Sequence, residues 1–251
     1  MSNINLVNVF NDTFNTCQNL EVSKTSKFSF SDISPARLGT LVDNISVINS
    51  DTVSAMVSLV GSGKTCVLNM ASDKRPGGGV ENGASAQEES LFRCSNLWTS
   101  VDKSFYPLMI DECLYTKDAI FFKDKSYQYM TPVKSDVITI PAFNINKIGH
   151  FFGKRVAKFD ELNKTLNYEN NTKDKIRLML SIPSKNGVKN LVLGAWGCGV
   201  YKNDPEKMSE YFREVLVDEG YSSLYDKVIF AIINDHNSVG NNFDIFSKKF
   251  N

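Results

Sequence analysis

Four short apolar runs set the fold class of this chain. Residues 65–70, 136–141, 190–195 and 227–234 each have the length of a strand and a mainly aliphatic or aromatic interior. The third run is almost wholly apolar, with Leu191-Val192-Leu193-Gly194-Ala195 following one asparagine. A strand with one wet face alternates apolar and polar residues. A run without alternation belongs in a parallel or mixed sheet covered on both faces. Helical spacing appears outside these runs, where Leu6, Val7, Phe10, Phe14, Cys17 and Leu20 recur mostly three or four residues apart. Residues 176–182 form the core of another helix, and Asp204-Pro205 opens a third with an acid at the cap and proline in the first turn. Strands alternating with helices predict a three-layer α/β architecture.

The remaining segments support coarser expectations. Residues 52–60 alternate well enough for a strand, Gly61-Ser62-Gly63-Lys64 makes a turn, and the two strands around it form a hairpin. Gly63-Lys64-Thr65 is not a nucleotide-binding P-loop. That pattern needs a glycine five residues before Gly63, where Ser58 stands, and it opens a helix, whereas Cys66-Val67-Leu68 continues as strand. Residues 86–106 read as one helix offering Leu91, Phe92, Leu97 and Trp98 to the core. Residues 107–135 read as irregular apart from a strand at 119–122, and residues 21–51 as loop with a short helix near 37–44. The polar stretch 167–175 reads as a mobile loop, and residues 242–250 as a terminal helix or tail.

Composition narrows the function classes. A chain of 251 residues is one large domain or two small ones, long enough to bury a core without staples. Its 28 basic and 28 acidic residues balance, which argues against general nucleic-acid or membrane-surface binding. A polyanionic substrate would be recognised by local geometry. The five cysteines (Cys17, Cys66, Cys94, Cys113, Cys198) are scattered and odd in number, so reduced thiols in an intracellular protein, cytoplasmic or nuclear, are expected. With His150 and His236 as the sole histidines, both expected in loops or at the surface, a histidine-rich metal site or a Ser-His-Asp triad has little support. No signal sequence or membrane span is expected.

Two glycine-rich blocks carry the chemistry. In the first, Asn69-Met70-Ala71-Ser72 ends a strand, Gly77-Gly78-Gly79 follow, and seven residues later Gln87-Glu88-Glu89 opens a helix. Three glycines let backbone approach a ligand closely. Two carboxylates beside them can trade protons, the requirement of glycosidic-bond hydrolysis. Adjacent helix positions point about 100° apart, so the two acids take different roles. The second block, Gly194-Ala195-Trp196-Gly197-Cys198-Gly199-Val200-Tyr201, follows a strand and leads to the Asp204 helix, and backbone amides in such a turn can form an anion nest. Cys198 has no evident partner base and is not expected to act as a nucleophile.

Together the two blocks resemble the microbial-type poly(ADP-ribose) glycohydrolases, a branch of the macrodomain superfamily, most clearly over residues 69–98 and 136–246. The resemblance implies a macrodomain-like three-layer α-β-α fold with a central mixed sheet and an N-terminal helical extension. Residues 1–51 would be an appendage packed on a catalytic domain of residues 52–251. It assigns Glu89 as the catalytic acid, with Glu88 on the ribose near the cleaved bond and Asn69 on the distal ribose. Gly77, Gly78, Gly79 and Gln87 would complete that side of the substrate site. Gly194, Gly197, Cys198, Gly199 and Val200 would cradle the diphosphate, and Tyr201, where the family commonly has phenylalanine, would flank adenine or the proximal ribose. Trp196 is expected in the core. Phe143 stands where the family often has proline, which leaves the role of Phe143-Asn144 open, and Asn234-Asp235 is a weaker adenine-side candidate.

The implied activity is removal of ADP-ribose from poly(ADP-ribose), with no metal or cofactor. The implied substrates are the polymer or an ADP-ribosylated protein, with ADP-ribose as product ligand. An acid in this role must hold its proton near neutrality, through burial or repulsion from a neighbour. Two alternatives stand beside it: release of single ADP-ribose units from a protein or other acceptor, and a reader that binds ADP-ribose without cleaving it. Retention of both acids favours an enzyme.

Overall fold

The computed structural model of the protein describes residues 4–34, 43–146, 148, 159–233 and 241–251. Among them, seven strands form one mixed sheet: β1 (Thr25–Ser29), β2 (Ile45–Ile48), β3 (Thr65–Met70), β4 (Glu112–Lys123), β5 (Tyr129–Ile140), β6 (Asn190–Leu193) and β7 (Lys227–Ala231). Their order is β1-β4-β5-β3-β6-β7-β2. β3 lies at the centre, parallel to β5 and β6, and β7 and β2 continue the parallel part. β4 runs antiparallel to β5 and β1 antiparallel to β4.

Period-two alternation inside the apolar runs divides the interior into two cores. Cys66, Leu68, Ile138, Ile140, Leu191, Leu193, Val228 and Phe230 face one helical layer, with α5 (Phe159–Leu166), α6 (Tyr168–Lys185), α7 (Pro205–Arg213) and α8 (Asn242–Phe250). Their sequence neighbours Val67, Val137, Val192 and Ile229 face the other, with α1 (Leu6–Cys17), α2 (Thr52–Val57), α3 (Gln87–Cys94) and α4 (Leu97–Ser100). Both faces of each central strand are apolar because each face meets helices. Each such side chain contributes about 1.5–3 kcal/mol of burial. The α-β-α layering expected from the sequence is therefore the observed architecture.

Several local expectations are corrected. Residues 52–57 are helix, not strand, and Thr65–Met70 has no hairpin partner before it. Asp51 caps that helix by accepting from Ser54 N at 3.0 Å, and the buried set Thr52, Val53, Ala55 and Met56 fits a helical face as well as a strand. The expected helix over 86–106 breaks at Ser95, whose extended backbone bridges to Phe121. Residues 107–135 are mostly the long β4–β5 hairpin, and the polar stretch 167–175 is the first half of α6, anchored by buried Tyr168, Thr172 and Lys175. The segment 21–51, read as loop, supplies β1 and β2, the two edges of the sheet. Strands from both sides of residue 51 thus share one sheet. Most of the helix expected near 37–44 lies outside the described residues.

The Gly63-Lys64 turn has a structural use. Lys64 Nζ lies 2.8 Å from the carboxylate of Asp136, which is fully buried at the side chain, and the chain passes directly into β3.

Candidate active site

The first glycine block joins the end of β3 to the start of α3. Gln87 fixes that junction. Its side-chain oxygen accepts from Met70 N at 2.9 Å, and its amide donates to Leu68 O at 2.7 Å and Thr52 Oγ1 at 3.1 Å. Both ends of the Gln87 amide are thus engaged by the scaffold, so this residue sets the position of α3. The acids that follow it are delivered to a fixed place.

Glu88 and Glu89 are both buried, at 3% and 7% exposure, in the first turn of α3. Negative side chains are favoured there by the helix dipole. They grip the glycine loop at different points. Glu88 accepts from Ser72 N at 2.7 Å, Gly77 N at 3.2 Å and the Asn69 amide at 3.3 Å. Glu89 Oε1 accepts from Gly79 N at 2.9 Å, and its Oε2 has no hydrogen-bond partner. Burial pushes the Glu88 carboxyl up to about 8, against the pull of its donors from Ser72, Asn69 and Gly77, with the charge of Glu89 adding to the rise.

Gly78 explains why glycine is required. Its φ is +52°, and a Cβ there would lie 2.5 Å from Glu89 Oε1 and 3.1 Å from Glu88 Oε2. The missing side chain makes room for the protein's own carboxylates. Asn69 stands behind them, fully buried, with its amide donating to Glu88 and to Thr139 Oγ1, both at 3.3 Å. It is not among the residues lining the cleft between the two loops; its amide holds Glu88, while its Oδ1 has no hydrogen-bond partner.

The second glycine block folds around Asn203. The amide of this buried side chain donates to Phe143 O at 2.8 Å and Gly197 O at 3.0 Å, and its oxygen accepts from the Tyr168 hydroxyl at 2.6 Å. Gly197 has φ +76°, and a Cβ would meet Asn203 Nδ2 at 2.6 Å and Ala142 Cβ at 2.7 Å. Ile145 N donates to Tyr201 O at 2.9 Å and the Asn146 amide to Val200 O at 2.9 Å, so the Phe143-Asn144 segment leads into the support of this loop. Asp204 caps α7 by accepting from Glu206 N at 2.9 Å. That carboxylate already occupies the helix end expected to help an anion.

The two loops meet in one cleft of about 790 Å³. Of the residues anticipated from the sequence, Gly78, Gly79, Gln87, Glu88, Glu89, Gly197, Gly199, Val200 and Tyr201 line it. Gly77, Gly194 and Cys198 stand behind the lining with Asn69. A Cβ on Gly77 would strike Phe92 at 2.8 Å, and one on Gly194 would strike Met70 at 2.9 Å. Cys198 is fully buried and burial pushes its thiol up, so neither substrate contact nor thiolate chemistry fits its side chain. Tyr201 is half-buried, its phenol pushed up to about 12 by burial and by the charges of Asp73 and Glu88. Trp196 is a core side chain, donating to Ile140 O at 3.0 Å. His150, Asn234, Asp235 and His236 lie outside the described residues.

Sequence reasoning missed three groups. Asn203 sat in a block already singled out, and its position between Gly197 and the α7 cap was the available signal. Ile232 and Ile233, just past β7, line the cleft where parallel strands end, the usual place for ligands in open α/β sheets. Lys125 and Tyr127, at the β4–β5 hairpin tip, also line it and carried no signal once that region was read as irregular.

Comparisons with known proteins fit this geometry. Residues 11–124 match the model of the microbial-type PARG catalytic domain, a span that holds the first glycine loop and both acids. The fold matches poly(ADP-ribose) glycohydrolase (PARG) from Thermomonospora curvata bound to the inhibitor ADP-HPD, with 25% identity, 98% of this chain and 99% of that chain covered, and a TM-score of 0.81. It also matches PARG from Deinococcus radiodurans in complex with ADP-ribose, with 25% identity, 94% and 96% coverage, and a TM-score of 0.75. No curated protein matches the chain in sequence. By sequence over residues 11–124 the chain matches the microbial-type PARG catalytic domain, and by fold over nearly its whole length it is similar to solved bacterial PARG structures.

Proposed function

We propose that this protein is a poly(ADP-ribose) glycohydrolase that hydrolyses the ribose–ribose O-glycosidic bond and releases ADP-ribose. The observation that carries the reading is the asymmetry of the acid pair. Every oxygen of Glu88 already accepts a hydrogen bond from the protein, while Glu89 Oε2 has none and Glu89 lines the cleft. A carboxyl oxygen left without a partner beside an open cavity is where a substrate proton can go. The family match and the ADP-ribose held by the Deinococcus relative support the substrate class.

In this reading the diphosphate lies on the Gly197–Tyr201 loop and the terminal ribose reaches the acid pair. Glu89 donates its proton through Oε2 to the departing 2′-oxygen as the C1″–O bond breaks, giving an oxocarbenium-like state. The resulting carboxylate takes a proton from water as the water oxygen attacks C1″, so Glu89 ends as it began. With the Glu88 carboxyl pushed up to about 8, the pair carries one negative charge, not two, beside the reacting carbon once Glu89 has given up its proton. The proton that Glu88 holds can be donated to a ribose hydroxyl oxygen. No step here calls on a metal or cofactor.

The test is release of free ADP-ribose from poly(ADP-ribose) on an automodified polymerase, with Glu89→Gln beside the parent. Loss of a general acid predicts a fall in turnover of about 10²–10⁴-fold with ADP-ribose affinity retained. Normal turnover by the variant would sink the role of Glu89. A parent that binds ADP-ribose yet releases none from polymer would point to mono-ADP-ribosylated acceptors, or to a reader if those too are left intact.

A further inference from the structure

The β4–β5 hairpin tip borders the same cleft as the acids, and nothing in the proposed cleavage uses it. Its turn is tightly built. Asp124 Oδ1 accepts from Ser126 N at 2.8 Å and Gln128 N at 3.0 Å, while Tyr127 N donates to Asp124 O at 2.9 Å and Asp124 N to Gln128 O at 2.9 Å. This turn holds Tyr127 at φ +62°, a left-handed conformation that a bulky side chain seldom adopts. Backbone outliers held by their surroundings cluster at functional sites. The consequence here is that an aromatic ring and the exposed cation of Lys125 are presented to the cleft.

The ring is also tied to the catalytic helix. The guanidinium of Arg93, fully buried and one helical turn beyond Glu89, lies 6.0 Å from the centre of the Tyr127 ring. Arg93 itself is fixed by donation to Leu6 O and Val80 O, both at 3.1 Å. Tyr127 therefore has a set position beside α3, on the hairpin side of the acid pair. The Gly197–Tyr201 loop and the strand-end residues Ile232 and Ile233 belong to the other elements lining the cleft.

We propose that Lys125 and Tyr127 form a second subsite, for the part of the polymer on the leaving side of the scissile bond. The inference rests on the glycohydrolase reading. If the terminal ADP-ribose spans the strand ends, the second glycine loop and the acid pair, the hairpin tip is part of the lining left for the departing unit, with Lys74, Arg75, Ser85 and Ala86 among the rest. That unit begins at the ribose bearing the departing 2′-oxygen and carries an adenine and a diphosphate. An aromatic face suits the base, and an ammonium suits the phosphates. A single ADP-ribose on a protein side chain offers no base or phosphate there, so the subsite favours polymer over mono-ADP-ribosylated acceptors.

The test uses Lys125→Glu and Tyr127→Asn, since asparagine tolerates the left-handed conformation and preserves the turn. Affinity for polymer of defined length is measured in a Glu89→Gln background, where the chain is not consumed. ADP-ribose affinity is measured alongside by calorimetry, and KM for polymer in the variants with Glu89 intact. Each substitution is expected to weaken polymer binding and raise KM about tenfold, while ADP-ribose binding stays within twofold. Unchanged polymer affinity, or an equal loss for ADP-ribose, would overturn the subsite. If the parent binds ADP-ribose but does not cleave polymer, the glycohydrolase reading fails first and the subsite with it. A cleaving parent with unaffected variants removes the subsite alone.

Discussion

The two glycine loops use one device for opposite ends. In each, a glycine with positive φ clears space that another side chain of the protein fills: Glu89 under Gly78, Asn203 under Gly197. The first filler is an acid that lines the cleft and keeps one buried oxygen without a hydrogen-bond partner. The second is a neutral amide sealed behind the loop with its hydrogen bonds made inside the protein. The same backbone economy thus yields a reactive group in one loop and a rigid cradle in the other. A glycine-rich stretch signals close approach, but the approaching atoms belong first to the protein.

If that contrast is sound, the loops should fail differently. The largest effect is expected from Gly78→Ala, whose methyl would fall 2.5 Å from Glu89 Oε1. Displacing that carboxylate predicts a loss in kcat of about 10²-fold or more, since a misplacement near 1 Å can cost that much. Gly61→Ala is the control: φ there is +85° but the methyl would meet nothing within 4 Å, so only backbone strain of about 1–2 kcal/mol is expected. A variant at Gly78 that loses stability like the control but keeps its turnover would break the comparison. Gly197→Ala should do the reverse, weakening ADP-ribose about 30-fold by calorimetry with a much smaller change in kcat. That figure corresponds to about 2 kcal/mol.

A smaller effect follows from pH. The Glu88 carboxyl holds its proton below about 8 and loses it above. Ionisation then puts a negative charge beside Glu89, so proton donation by Glu89 must form a second like charge next to the first, which opposes the general-acid step. The rate of polymer cleavage should therefore fall as pH rises through about 8, by up to tenfold per unit, and this limb should be absent from Glu88→Gln. A profile with the same limb in the variant would mean that another group controls it.

Much of this was legible in the sequence where period and residue type coincide. The runs around Val67, Val137, Val192 and Ile229 disclosed the sheet and its burial on two faces, and Asp204-Pro205 marked a helix start that the structure bears. The same signals failed where six or so residues fit both periods, as in Thr52–Val57, and where pairing is decided by distant chain, as in β4 and β5. At the site, residue types gave the acids and glycines but not their direction. Asn69 and Gln87 have the chemistry of ribose contacts, and only the fold shows their amides turned onto Glu88, Met70 and Leu68. Lys125 and Tyr127 reach the cleft through a hairpin whose partners no local pattern names.

The edges of the sheet set a schedule for the chain. β1 must wait for β4, and β2 pairs with β7, the last strand described, so Ile45 meets Val228 across most of the molecule's length. Until β4 and β7 exist, β1 and β2 are unpaired strands, and unpaired strands recruit other chains. Such distant pairings also close slowly. During synthesis the chain is therefore open to misassociation until β7 has emerged.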